Sequence, residues 1–150
     1  MNYQDTIIQL KEDRKTEIIG KATKLFMECG IYEVSMGDIA AFCGVGVASL
    51  YRYFGNKNAL VILCGEEIWD KFSSYFNSKY QHWNPAELDK NNYLKKVMYI
   101  FLDLYKELNQ ELCFVHNFDN YICKQKIPKE ELVVYEHRVE QFYQFFSKAY

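Results

Sequence analysis

Apolar residues recur along this chain at three- and four-residue spacing, and almost nowhere at the two-residue alternation of a strand. Ile18, Ala22, Leu25, Phe26 and Cys29 form one stripe and predict a first helix from about Arg14 to Cys29, stopped by Gly30. Residues 1–13 fit two readings: Ile7, Ile8 and Leu10 either carry that helix backward or belong to a mobile arm. Met36, Ile39 and Ala40 then open a short helix. Ser35 is its capping residue, and Asp38, three residues on, is a shorter version of the capping-box glutamate. Gly44 closes it by supplying a left-handed backbone, Val45 plugs the turn, and a second short helix follows from Val47 to Phe54.

Four longer helices complete the pattern. One spans about Asn56 to Tyr80, with Val61, Cys64, Ile68, Phe72, Tyr75 and Phe76 on one arc and Glu66, Glu67, Asp70, Ser73 and Asn77 on the solvent arc. Asn84-Pro85 breaks the chain, and the next helix, about Asn91 to Asn109, is expected to bury Leu94, Val97, Met98, Phe101, Leu102, Leu104, Tyr105 and Leu108, leaving Asp103 in water. A helix from about Gln110 to Lys124 places Asp119 within an apolar stripe near Leu112, Val115, Ile122 and Cys123, with His116 on the stripe's edge. The last, from about Pro128, turns Leu132, Tyr135, Val139, Phe142, Tyr143 and Phe146 inward and is still in register at Tyr150. The fold class is therefore all-α.

Two short helices joined by a glycine turn with an apolar plug form a helix-turn-helix. Leu50 and Phe54 anchor the second helix inward, so Val47, Ala48, Ser49, Tyr51, Arg52 and Tyr53 are left for its flanks and outer surface. Small residues let a backbone approach a DNA groove, tyrosine hydroxyls bond phosphates, and an arginine forks onto a guanine. Lys57, opening the next helix, suits a phosphate oxygen, and Ser35 joins the candidate DNA contacts. A packing-only helix-turn-helix is the plainer reading; the poor fit of Tyr51, Arg52, Tyr53 and Lys57 to a core speaks against it.

The run DIAAFCGVGVASLYRYFGNKNAL, with IIGKATKLFMECG before it, resembles the TetR family of bacterial transcriptional repressors over Ile18 to Leu60. Gly46 departs from the serine usual there, and Val47 from a polar or basic residue. The resemblance implies a head of three helices over residues 1–57 and a helical ligand-binding and dimerisation region over 58–150. It implies a homodimer on a pseudo-palindromic double-stranded DNA site, released by a small-molecule inducer. It also implies two more helices for which this sequence has no room. Either the chain is truncated at its C-terminus or dimerisation is rebuilt from its final helices, with Val134 and Phe145 off the inner arc.

With 49% hydrophobic and 17% aromatic residues, the 150-residue chain is expected to bury one domain's core rather than stay disordered. The longest apolar run, Ala59 to Cys64, is too short for a membrane span, and the first fifteen residues do not read as a signal peptide. Five scattered cysteines read as reduced core thiols of a cytoplasmic protein, with a redox pair as the sharper alternative. Net charge is −2, while Arg14 to Lys57 holds six basic residues against four acidic, or +2, so DNA affinity must come from placement and dimerisation. No phosphate loop, nucleophile elbow or acid–base pair points to an enzyme, no cofactor is implied, and His116, Asp119, Cys113 and Cys123 lack zinc-site spacing.

Two functions remain. One is the DNA-binding regulator. Its inducer pocket would be walled by Trp69, Phe72, Phe76, Phe101, Tyr105, His116, Asp119, Tyr135 and Phe142, with Asp119 selecting a cationic or hydrogen-bond-donating ligand; plain core packing is the default for the aromatics. The other is a helical module for small molecules or proteins that has lost DNA recognition.

Overall fold

The computed structural model describes residues 2–147, and among these the chain forms helices with no strand. α1 (Tyr3–Cys29) starts eleven residues before Arg14, which places residues 3–13 in helix rather than in an arm. Asn2 explains the early start. Its side chain accepts from the Asp5 amide at 2.8 Å, and Asp5 accepts from the Asn2 amide at 3.1 Å. Gly30, at φ +96°, ends the helix and donates its N–H to the Phe26 carbonyl.

α2 (Met36–Cys43) and α3 (Val47–Phe54) have the bounds that the pattern predicts. Ser35 Oγ accepts from the Asp38 amide at 3.1 Å while Asp38 accepts from the Ser35 amide at 2.8 Å. Gly44 sits at φ +67°, ψ +36°, where a side chain would strain the backbone, and Val45 donates to the Ala40 carbonyl as the turn reverses. Ile18, Ala22 and Phe26 of α1 meet Ile39, Ala40, Cys43, Leu50 and Phe54 in the core of the head.

α4 (Lys57–Tyr80), capped by Asn56, is the axle of the molecule. α1, α6 (Asn109–Gln125) and α7 (Val133–Ser147) all pack against it, and α1 also touches α6. Its middle is consequently buried on more than one face, with Leu60, Val61, Cys64, Gly65 and Ile68 inside. The expected solvent arc is wrong at Glu66, which is 8% exposed and lies 3.9 Å from Arg138. Gly65 has a packing reason: Phe118 of α6 and Tyr135 of α7 come so close that a Cβ would lie 3.0 Å from each ring.

A single 3-10 turn (Pro85–Glu87) leads to α5 (Lys90–Glu107), where the expected face is rotated. Tyr93, Ile100, Leu104 and Leu108 are buried, whereas Leu94, Met98, Phe101, Leu102 and Tyr105 are exposed. Polar pairing explains the rotation. Asp103, assigned to water, accepts from the Tyr80 hydroxyl at 2.7 Å and from Lys79 at 3.1 Å, which turns its side of α5 toward α4. Tyr80 and Lys79 in turn hold its carboxyl below the usual range.

α6 turns Phe114, Phe118 and Tyr121 inward together with Glu111, which pairs with Lys71. A second 3-10 turn (Lys129–Leu132) precedes α7, which buries Tyr135 and Phe142 but leaves Tyr143 exposed. The predicted register of that helix at Tyr150 lies outside the described residues. Cys43 and Cys64 are buried, but Cys29, Cys113 and Cys123 are exposed, so only two of the five thiols are core. Among the described residues no helix is long and apolar enough to cross a membrane, and no group of three His, Cys, Asp or Glu could hold a metal ion.

Candidate nucleic-acid interface

Leu50, fully buried, and Phe54, 8% exposed, fix the rotation of α3 about its axis. What faces outward follows from that. Val47 and Tyr51 lie one turn apart on one row, Ala48 and Arg52 on the next, and all four are exposed. Ser49 and Tyr53 are half-buried, and Tyr53 packs its ring against the core instead of projecting. Arg52 donates to Ser49 Oγ at 3.2 Å, which lays the guanidinium along the helix and leaves its other donors outward. No side chain caps α3, since Gly46 supplies none.

Ser35 and Lys57 are placed differently from the expectation of outward-facing contacts. The Ser35 hydroxyl donates to Asp38 at 2.6 Å, and these bonds hold the Asp38 carboxyl below its usual range. Ser35 thus serves its own helix first. The Lys57 ammonium turns inward, donates to the Ile31 carbonyl at 2.5 Å, and lies about 6 Å from the Phe26 and Tyr121 ring centres. Burial lowers its pKa, with Glu33 and Asp38 pulling the other way.

Sequence reasoning missed the groups that tie the head to the body. Tyr121 of α6 donates to Asn58 at 2.6 Å and packs against Tyr32 at 5.1 Å, and Lys124 stands over the Tyr32 ring. Arg14 reaches the Cys43 carbonyl at 3.2 Å and so caps α2 from outside. No one-dimensional pattern signals these contacts, because each joins residues far apart in the chain.

The expected pocket wall divides. Trp69, Phe72, Phe76 and Phe142 pack ring against ring at 5.2–6.3 Å, and of these Trp69 and Phe72 also border an open hollow. Phe101 and Tyr105 are outside, 40% and 66% exposed, for the reason that rotates α5. His116 is exposed, its Nε2 3.4 Å from the Asn120 amide. Asp119 is exposed too, at the mouth of an open hollow of about 350 Å³ beside Trp69, Tyr135, Glu136 and Tyr143. Packing on its inner side raises its pKa, partly opposed by His116. Burial pushes the Tyr135 hydroxyl up to about 12, with the Trp69 indole opposing. That indole nitrogen is buried and completes no hydrogen bond, so it faces the Tyr135 oxygen without closing the contact.

Residues 18–64 match the family described as bacterial regulatory proteins, tetR family. Over 64 residues the chain is 36% identical to the HTH-type transcriptional regulator HbdR of Aromatoleum sp. (strain CIB), covering 43% of this chain and 28% of that protein. Over 88 residues it is 31% identical to the HTH-type transcriptional repressor KstR2 of Rhodococcus jostii (strain RHA1), covering 59% of this chain and 41% of that protein. The matches thus span less than half the length of these relatives, and no solved structure matches the chain. Over its N-terminal helix-turn-helix, residues 18–64, the chain is similar to the tetR family of bacterial regulatory proteins.

Proposed function

We propose that the protein is a transcriptional regulator, acting as a repressor, whose α3 enters the major groove of a pseudo-palindromic DNA site. The observation that carries this reading is the outward row of Val47, Ala48, Tyr51 and Arg52, held in place by the burial of Leu50 and Phe54. Arg52 reads a guanine and Tyr51 meets a phosphate. Ser35, Ser49 and Tyr53 lie at the margins of that surface, and Lys57 reaches a phosphate only by leaving the Ile31 carbonyl. Binding to the upstream region of its own gene, measured across a salt series, tests the reading. Arg52→Ala should cost about 1–3 kcal/mol and relax preference at one position per half-site. No salt-dependent binding at all would favour a helical module without DNA recognition, the second reading. Its support is the uncapped α3, Val47 at its tip and the inward Lys57.

Affinity from so weakly basic a head requires two heads on one site. Support for a homodimer comes from the exposed α5 row of Leu94, Met98, Leu102 and Tyr105, rather than from Phe145, which is packed at 4.8 Å on Phe76. Met98→Glu should shift the protein to monomer in sedimentation while the helix content stays.

Release by a small molecule is the remaining part. The hollow beside Asp119 supports it, since two carboxylates and four aromatic rings there suit a cationic ligand. Asp119→Asn should remove the response to such a ligand and leave DNA binding in place.

A further inference from the structure

The tip of α3 carries chemistry that a phosphate or a polar base edge cannot use. Val47 is 44% exposed at the first position of the helix, and Ala48 beside it is exposed as well. Neither side chain has a donor or an acceptor. Gly46 ahead of them has no side chain to keep the backbone away from a surface. The first polar side chain behind them, Ser49, already accepts a hydrogen bond from Arg52. A branched valine in a helix holds essentially one rotamer, so its two methyls are presented with little ordering left to do.

Where such a tip lies in the major groove, its apolar surface must leave water against something apolar. The groove offers one group of that kind, the 5-methyl of a pyrimidine. We infer that Val47 reads a pyrimidine 5-methyl group, carried by a thymine in each half-site, with Ala48 leaving room for the backbone to come close. This rests on the DNA-binding reading and adds a second sequence-reading residue to Arg52. Because Val47 shares its row with Tyr51 and Ala48 shares the next with Arg52, the thymine is displaced along the groove from the guanine that Arg52 reads. Val47 is then a specificity residue and not a gap in the polar face.

The experiment begins with selection of duplexes from a randomised library by the full chain. Each thymine of the selected site is then replaced, one at a time, by deoxyuridine, which removes the methyl and leaves every hydrogen-bonding group. One thymine per half-site should show roughly fourfold weaker binding, as the burial of a single methyl predicts, and about sixteenfold when both half-sites are changed. Val47→Ala should bind the thymine and deoxyuridine sites alike, with an unchanged melting temperature because the side chain is exposed. A 5-methylcytosine placed at the same position, paired with guanine, should recover part of the affinity lost by plain cytosine. That recovery identifies the methyl, not the thymine carbonyl, as the recognised group. A site with no deoxyuridine-sensitive thymine overturns the inference while leaving DNA binding intact. So does a Val47→Ala variant that keeps the full penalty. Failure to retain any duplex from the library overturns the DNA-binding reading itself, and this inference with it.

Discussion

Replacing Gly65 by alanine sets two effects of known sign against each other. Gly65 lies in the middle of α4, where alanine should gain about 1 kcal/mol in helix propensity. The added methyl, however, would stand 3.0 Å from Phe118 Cε2 and Tyr135 Cε2 and 3.1 Å from Phe118 Cζ. Phe118 is the ring that resists, since Tyr135 borders the open hollow. Phe118 is fully buried, stacked on Phe114, and its centre is 4.5 Å from that of Tyr135, which packs edge-on to Trp69. Overpacking of this kind costs about 1–3 kcal/mol, so the clash outweighs the propensity gain and leaves a net loss near 1 kcal/mol. For a chain of this size that lowers the melting temperature by about 3 °C. Gly20 in α1 supplies the control, because its nearest neighbour to a new Cβ is Glu67 Oε1 at an ordinary 3.5 Å. Gly20→Ala should therefore raise the melting temperature by about 3 °C through propensity alone. Circular dichroism melts of the two variants decide the matter. A Gly65→Ala protein that melts above the parent would refute the packing argument.

Tyr121→Phe removes the hydroxyl bonded to Asn58 and strands that amide oxygen, so stability should fall by about 1–2 kcal/mol, measured as a lower urea midpoint at constant slope. Lys57→Met keeps the aliphatic stem but deprives the Ile31 carbonyl of its donor; it should lower the melting temperature as well as weaken DNA binding, and an unchanged melt would mean the ammonium faces outward in solution. Glu66 concerns pH. Burial raises its folded pKa against the opposing pull of Arg138, so the native state binds the extra proton and stability falls as pH rises from about 4.5 through the folded value. Glu66→Gln should flatten that part of the stability–pH curve in titrations monitored by urea unfolding, and a curve unchanged in shape would remove Glu66 from the account.

The head was legible from its sequence because its signals are local. Ser35 and Asp38, Gly44, and the Leu50–Phe54 pair each act within a few residues, and each occupies its expected place. The body was less so. α5 carries apolar residues on more than one side, and periodicity cannot say which side is covered; the choice was made by Lys79 and Tyr80 of another helix binding Asp103. Glu66 was misplaced because a helix packed on two sides has no single solvent arc. The inward turn of Lys57 was hidden for a similar reason, as the carbonyl it meets lies 26 residues back along the chain. Asp119 does border aromatic rings, but at an open mouth instead of inside a closed wall.

The packing of α1, α6 and α7 on one shared helix, α4, bears on how the molecule comes apart. The core that supports α3 is the same core that holds the body, running from Ile18 and Phe26 through Leu60 and Ile68 to Phe118 and Phe142 without a break. A chain cut after residue 57 would leave the inner face of α1 without α4 to cover it, and the helix-turn-helix would lose its support from behind. The free energy that keeps the head and the body folded is held in common. Unfolding should accordingly show one transition, seen at the same denaturant concentration by the tryptophans of the body and by a probe placed on the head. Any effector that loosens the body then weakens the head by the same equilibrium, without a separate signal having to pass between them.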